Sequence, residues 1–291
     1  MELSQKKKLI VIKPSGNHSN RLLQNLHFEA FCKEYNIEYQ NPTLVDMEGY
    51  YAEPCTVKTN LFFKILQIDL LGKLFHHSKV IKKIFSVVWI FSKLSLLIFI
   101  RFDTEKEANE YETILLKAFE KNNIVYVGGW KFRLPVLAEK YKLEMSKKYA
   151  LKQSFYENNS LVQETTKLKS EGYTLIGIHI RRGDYKKWKG GTYYFEDDVY
   201  LKYMDNISEK LLKQGKEKHV FILFSNDNFS FQASSRILIS KENWYIDQHI
   251  MSTCDYLIGP FSTFTLWAAY IGNVKLFHIN NSDADLSSIL N

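Results

Sequence analysis

Two arginines stand side by side in GIHIRRGDY (residues 177–185) of a chain that mostly uses lysine for positive charge. Among 39 basic residues only Arg21, Arg101, Arg133, Arg181, Arg182 and Arg236 are arginine. A guanidinium keeps its charge and offers a planar fork of donors that fits phosphate oxygens. The run before the pair alternates as a strand does, which places His179 and Arg181 on one face and Ile180 and Arg182 on the other. The two therefore have different jobs. Arg181 is expected to hold a diphosphate, and Arg182 to play a structural part with Asp184 as its partner. The same two residues would also serve a pair that only ties the sheet to a loop.

Three more strand ends carry hydrogen-bonding groups. FSND presents Ser225, Asn226 and Asp227 after the apolar run VFIL. An aspartate there accepts hydrogen bonds from a ribose or a base edge, although Asn-Asp is also ordinary turn chemistry. GPFSTFT places Ser262, Thr263 and Thr265 at a helix N-terminus, where free N–H groups and the helix dipole favour an anion. Capping alone would need one hydroxyl. In the first half, SGNHSN fills the turn after the first strand. It matches neither the dinucleotide fingerprint nor the P-loop, yet its Asn17 is placed to touch a diphosphate or sugar. No D-x-D triplet is present to hold a metal, and Asp197-Asp198 reads as charge at a helix start.

These residues need a scaffold of strands ending on one edge. KKLIVIK reads as a buried strand, NRLLQNLHFEAFCKEYN as a helix capped by Asn17, Ser19 or Asn20, and IEYQ as a second strand. IVYVGGWKF is a further strand, followed by a charged helical stretch. From residue 151 the pattern is cleaner, with strands at TLIGIHI, KHVFILF, CDYLIG and VKLFHI separated by helices. Such alternation implies parallel, Rossmann-like sheets. At 291 residues the chain suits two domains, 1–150 and 151–291.

Residues 60–100 differ. The apolar run from Ile84 to Ile100 is broken by Ser86, Ser92, Lys93 and Ser95 and is too short and too charged to span a bilayer. It reads as a buried helix pair, with an interfacial helix presenting Lys79, Lys82 and Lys83 to anionic headgroups on the inner membrane surface as the alternative. The net charge of +7 suits an anionic partner. Nucleic acid is not the expected one, because no RNA-binding aromatic motif, zinc finger or basic helix occurs. Cys32, Cys55 and Cys254 are odd in number and widely spaced, which argues against a disulfide framework or zinc site. With no signal peptide at the start, a cytoplasmic location is expected.

His179-Ile-Arg-Arg-Gly-Asp184-Tyr resembles the H-x-R-R-x-D motif of GDP-fucose-dependent fucosyltransferases, nearest to the bacterial α-1,2-fucosyltransferases of glycosyltransferase family 11. VGGWKF, FSND and DQHIMSTCDYLIGPFSTFTLWAAYIG are similar to that family's later segments and come in the same order. The first turn departs from the family's Gly-Asn-Gln-Met-Phe-Gln, and Thr265-Leu266-Trp267 replaces part of its Phe-Ser-Trp-Trp run.

The resemblance implies a GT-B fold of two Rossmann-like domains facing a cleft. The first domain would lie on the acceptor side, with a helical insertion, and the second would bind the GDP-sugar. It further implies an inverting transfer of fucose from GDP-fucose to a glycan hydroxyl, with no metal required. Carried over, Arg181 meets the diphosphate, His179 the nucleotide, Asp227 the base or ribose, and Ser262 and Thr263 the phosphate. Asp184 is the first candidate for general base, with Glu196 and Asp197 as alternatives. Another GDP-sugar, another linkage, or a non-catalytic binding protein of the same fold are the competing readings.

Overall fold

The computed structural model describes residues 6–53, 98–225 and 227–281. The helix pair expected between residues 60 and 97, Cys55 and Asn226 lie outside the described residues. The chain divides into two compact units, Met1–Tyr149 and Ala150–Asn291.

In the first unit β1 (Lys8–Lys13), β2 (Glu38–Gln40), β3 (Phe99–Arg101) and β4 (Ile124–Gly128) form a parallel sheet in the order β2-β1-β4-β3. Helices α1 (His18–Glu34), α2 (Ala108–Lys121), α3 (Pro135–Lys140) and α4 (Lys142–Lys148) connect and follow them. Phe28, Phe102 and Phe132 meet near the centre of the core, the first and last stacked at 4.3 Å. The apolar side of α1 was legible in the sequence, but its polar side is buried as well. Arg21 donates to both oxygens of Asp46, at 2.6 and 2.9 Å, while Glu29 accepts from the Tyr149 hydroxyl at 2.6 Å and pairs with Lys148. Buried charges persist where such partners satisfy them.

One expectation is corrected here. The end of the apolar run read as helical is strand: Phe99–Arg101 pairs in parallel with Tyr126–Gly128. Periodicity cannot separate a continuous apolar strand from a buried helix, and the partner strand decides.

The second unit carries α5 (Ser160–Ser170), β5 (Thr174–Ile180), α6 (Asp197–Lys213), β6 (His219–Ser225) and β7 (Ile237–Ile239). It continues through α7 (Trp244–Thr253), β8 (Tyr256–Pro260), α8 (Thr263–Gly272) and β9 (Lys275–Ile279). All its strands are parallel, in the order β7-β6-β5-β8-β9. Continuous apolar runs fit a sheet covered on both faces. Ile176, Ile178 and Ile180 pack with Tyr200, Tyr203 and Ile207 of α6, while Leu175 packs with Ile250, Met251 and Ala268 of α7 and α8. From β5 the chain adds strands outward on one side, then returns to add β8 and β9 on the other. The strand order therefore reverses between β5 and β8, and in open parallel sheets ligands bind at the carboxyl ends beside such a reversal.

Candidate active site at the carboxyl ends of β5 and β8

The motif HIRRGD occupies that point of reversal. His179 is the penultimate residue of β5 and is buried. The backbone of β8 passes so close that a Cβ on Gly259 would lie 2.6 Å from the His179 carbonyl oxygen, so no side chain fits there. On the face that carries α7 and α8, the His179 ring lies 5.5 Å from that of Phe264. Burial, with the Arg181 charge beside it, lowers the His179 pKa to about 3, so the imidazole is neutral. Its Nδ1 and the Arg181 Nε are both buried with no hydrogen-bond partner in the protein. Unsatisfied buried nitrogens cost stability, and two in one place mark a site arranged for a partner from outside the fold.

The chain leaves β5 through Gly183, whose φ of +59° is left-handed, into a 3-10 turn over Gly183–Lys186. That turn brings Asp184 back under Arg181, with N and O 3.1 Å apart. The Arg181 guanidinium also lies over the Tyr185 ring at 4.9 Å, and the Tyr185 hydroxyl donates to the Phe261 carbonyl at 2.8 Å.

Arg182 goes the other way and is buried. It donates to the Phe195 carbonyl, pairs with Asp197 at the start of α6, and lies over the rings of Tyr194 and Tyr200 at 5.0 and 5.8 Å. The expected Arg182–Asp184 pair is thus wrong. Asp184 pairs with Arg181, because the chain turns back through left-handed Gly183 between them, and Asp197 takes Arg182.

Asp197 also accepts from the Ser230 N–H at 2.7 Å and its hydroxyl at 2.6 Å. Burial would raise its pKa, but these bonds and Arg182 outweigh it and hold the carboxyl below its ordinary value. Asp197 is therefore bound into the fold, while Glu196 projects into solvent 3.9 Å from Arg182.

At the end of β8, Ser262 is the N-cap of α8 and accepts from the Phe264 N–H at 3.2 Å. Thr265 is fully buried and donates to the Ser262 carbonyl at 3.0 Å. Its hydroxyl is spent inside the helix, which corrects its reading as a phosphate contact. Thr263, half-buried in the first turn, has a hydroxyl that bonds to no group among the described residues. Ser225 ends β6 beside Ile180. Asp227 is exposed in the turn that follows and caps it locally, accepting from the Asn228 N–H at 2.8 Å. Three adjacent strand ends thus line up as Ser225, then His179 and Arg181, then Ser262 and Thr263. Asn17 belongs to the other unit, where it holds the N-cap position of α1 without a side-chain cap bond.

Sequence reasoning passed over Asp247. It lies in the first turn of α7 and bonds to Ser240, just beyond β7. Burial, with Glu242 adding like charge, pushes its pKa up to about 7 against the opposing Ser240 bond. A carboxyl with a raised folded pKa keeps a proton that the unfolded chain releases, so it favours the fold most at low pH and loses this contribution as pH rises through the folded value. Over about pH 4 to about pH 7 the melting temperature of the wild type is expected to fall relative to that of Asp247→Asn, which lacks this carboxyl. An unaltered slope in that variant would remove Asp247 as the cause.

Among the described residues no group of three His, Cys, Asp or Glu is placed to hold a metal ion, and no helix is long and apolar enough to cross a membrane. The fold is similar to that of a FUT1 mutant of Arabidopsis thaliana in complex with GDP. The identity is 13% and the TM-score 0.51, over 95% of this chain and 71% of that one. The fucosyltransferase NodZ from Bradyrhizobium aligns with a TM-score of 0.45 at 12% identity, over 90% of this chain and 92% of that one. No curated protein matches the sequence. The two-unit Rossmann-like architecture is the GT-B fold. The sequence profile of glycosyl transferase family 11 matches residues 104–288, which cover β4, the arginine motif and every strand of the second sheet. The chain belongs to glycosyltransferase family 11 and is a glycosyltransferase.

Proposed function

We propose that this enzyme transfers fucose from GDP-fucose to a hydroxyl of a glycan, with α-1,2 linkage, inversion at the anomeric carbon and no metal requirement. The observation that carries this reading is the pair of unpartnered buried nitrogens, His179 Nδ1 and Arg181 Nε, beside the α8 N-terminus at the strand-order reversal. A nucleoside diphosphate supplies what that geometry lacks: oxygen acceptors and negative charge. GDP in the Arabidopsis neighbour supports a guanine nucleotide.

In this reading the second unit binds the donor and the first serves the acceptor, with Asn17 at its first turn. Arg181 and the first-turn N–H groups of α8, with Ser262 and Thr263, meet the phosphates. Ser225 and Asp227 lie towards the ribose or base. As the bond from sugar to phosphate breaks, the bond from the acceptor oxygen forms on the opposite face and GDP leaves with added negative charge. Preorganised donors that strengthen as charge develops lower the barrier, and Arg181 with the helix terminus fills that role. The acceptor proton goes to a base or to solvent. Asp184 is the carboxylate that pairs with the arginine, at 3.1 Å.

A transfer assay over GDP-fucose, GDP-mannose and UDP-sugars, run with and without a chelator, tests the reading. Turnover with GDP-fucose alone, unaffected by chelation and giving product with inverted configuration by NMR, is the expected result. Turnover only with a UDP-sugar would overturn the donor, and loss of activity on chelation would overturn metal independence.

A further inference from the structure

We propose that the loop following Arg181, on the donor-binding unit, adds a platform for the acceptor that the first unit also serves, and that this acceptor is an anionic glycan, one whose sugars carry a carboxylate or a phosphate. The proposal rests on the transfer reading above and names the substrate class on its acceptor side.

A ladder of rings runs outward from the arginine. Arg181 lies over Tyr185, and the ring of Tyr185 is 4.9 Å from that of Trp188. Trp188 is 5.3 Å from Tyr193, which lies 6.4 Å from Phe261, and Phe261 is 5.1 Å from His278. The inner rung is buried, but Trp188 is 36% exposed and Phe261 40%. Neither belongs to the buried clusters of the second unit. Large aromatic side chains left in water and held in mutual contact mark a binding surface more often than a packing accident. A flat ring face suits the apolar C–H face of a sugar, and the ladder would seat it beside the arginine that meets the donor phosphates.

The charge on the loop narrows the choice. Segment 183–192, GDYKKWKGGT, holds Lys186, Lys187 and Lys189 and a single carboxylate, Asp184, which Arg181 already engages at 3.1 Å. None of the three lysines has a carboxylate oxygen within 4.0 Å among the described residues. Two of them are held against rings instead. Lys189 Nζ lies 5.1 Å from the Trp188 centroid and 5.6 Å from that of Tyr193, and Lys186 Nζ lies 5.4 Å from that of Tyr194.

Lys189, Gly190 and Gly191 are consecutively left-handed, with φ of 49°, 69° and 81°. For a residue with a side chain this conformation costs on the order of 1–2 kcal/mol. The loop therefore holds the Lys189 ammonium over the rings at some expense. A neutral sugar would use the rings and leave the lysines idle, whereas an anionic sugar uses both.

The test uses the full chain saturated with GDP. Calorimetric titration compares a glucuronate-terminated trisaccharide, its carboxyl-reduced counterpart and a phosphorylated trisaccharide, in the wild type, in Trp188→Ala, and in the triple variant Lys186→Gln, Lys187→Gln, Lys189→Gln. A charged trisaccharide is expected to bind about tenfold tighter than the reduced one, with the margin shrinking as salt rises. Whichever charged arm binds tighter identifies the group. Trp188→Ala should weaken all three sugars by about tenfold or more, the triple variant should abolish only the preference for charge, and GDP affinity should be unchanged in both.

Equal affinity for charged and neutral sugars would overturn the anionic assignment. Loss of GDP affinity in Trp188→Ala would assign the rings to the nucleotide base and overturn the platform, as would sugar binding insensitive to Trp188. Failure of the wild type to bind GDP would instead count against the donor reading, while titrations without GDP would still report on the platform. The lysines are surface residues, so the triple variant reads out even if Trp188→Ala fails to fold.

Discussion

Replacing Arg181 with alanine is expected to lower transfer by about 100- to 1,000-fold and to weaken GDP binding, while the protein melts near its wild-type temperature. The side chain is 26% exposed, contributes to neither hydrophobic cluster of its unit, and its ion pair is with Asp184, which is largely in solvent. Such a pair is worth at most about 1 kcal/mol, so the fold loses little. The reaction loses a charged fork facing the leaving group, at the stage when GDP gains charge. Arg181→Lys keeps the charge without the fork, and activity between wild type and alanine is expected. Steady-state kinetics with GDP titration checks both. Unchanged turnover in Arg181→Ala would take this arginine out of the reaction.

The neighbouring residue should fail in the opposite way. Arg182→Ala is expected to destabilise the second unit by about 3 kcal/mol, towards the lower end for breaking a buried ion pair on one side. Arg182 has 6% of its side chain exposed and Asp197 22%. Removing the guanidinium takes the counter-charge from Asp197, a donor from the Phe195 carbonyl and the packing from Tyr194 and Tyr200. Asp197 keeps its bonds from Ser230, which limits the loss.

A fall in melting temperature of roughly 10 °C follows for a unit of this size. GDP affinity of the molecules still folded is expected to stay close to wild type. A double-mutant cycle with Asp197→Asn should show strong coupling, since the two share one contact. Additive effects would mean that Arg182 stabilises the fold through something other than Asp197.

Much of the architecture is legible in the sequence. Runs such as VFIL and LIGIHI are apolar, rich in β-branched residues and separated by helical segments, the pattern of strands buried between helices. The helices α1 and α6 carried periodic apolar positions and polar ends. Shorter elements were not legible. Residues Phe99–Arg101 merged into a longer apolar run, and Ile237–Ile239 is too short for alternation to register. Both became strands through a partner elsewhere in the chain, Tyr126–Gly128 for one and Phe221–Leu223 for the other.

At the site, residue types and strand parity were enough to separate the two arginines and to set His179 on the same side as Arg181. Parity is a local property of an extended backbone with period two, so it needs no tertiary information. Partner choice is not local. Which carboxylate meets which arginine depends on a left-handed glycine that folds Asp184 back under Arg181, and on the return of the chain fifteen residues later to deliver Asp197 to Arg182.

The same holds for hydroxyls. Ser262, Thr263 and Thr265 look alike in sequence, and only the helix start decides that Ser262 caps, Thr265 is buried and bonded within the helix, and Thr263 stays half-buried. The sequence by itself determined the chemistry at the strand ends, because composition and parity travel with the chain. The tertiary structure decided who pairs with whom, because a salt bridge forms only where loop closure brings two charges within reach.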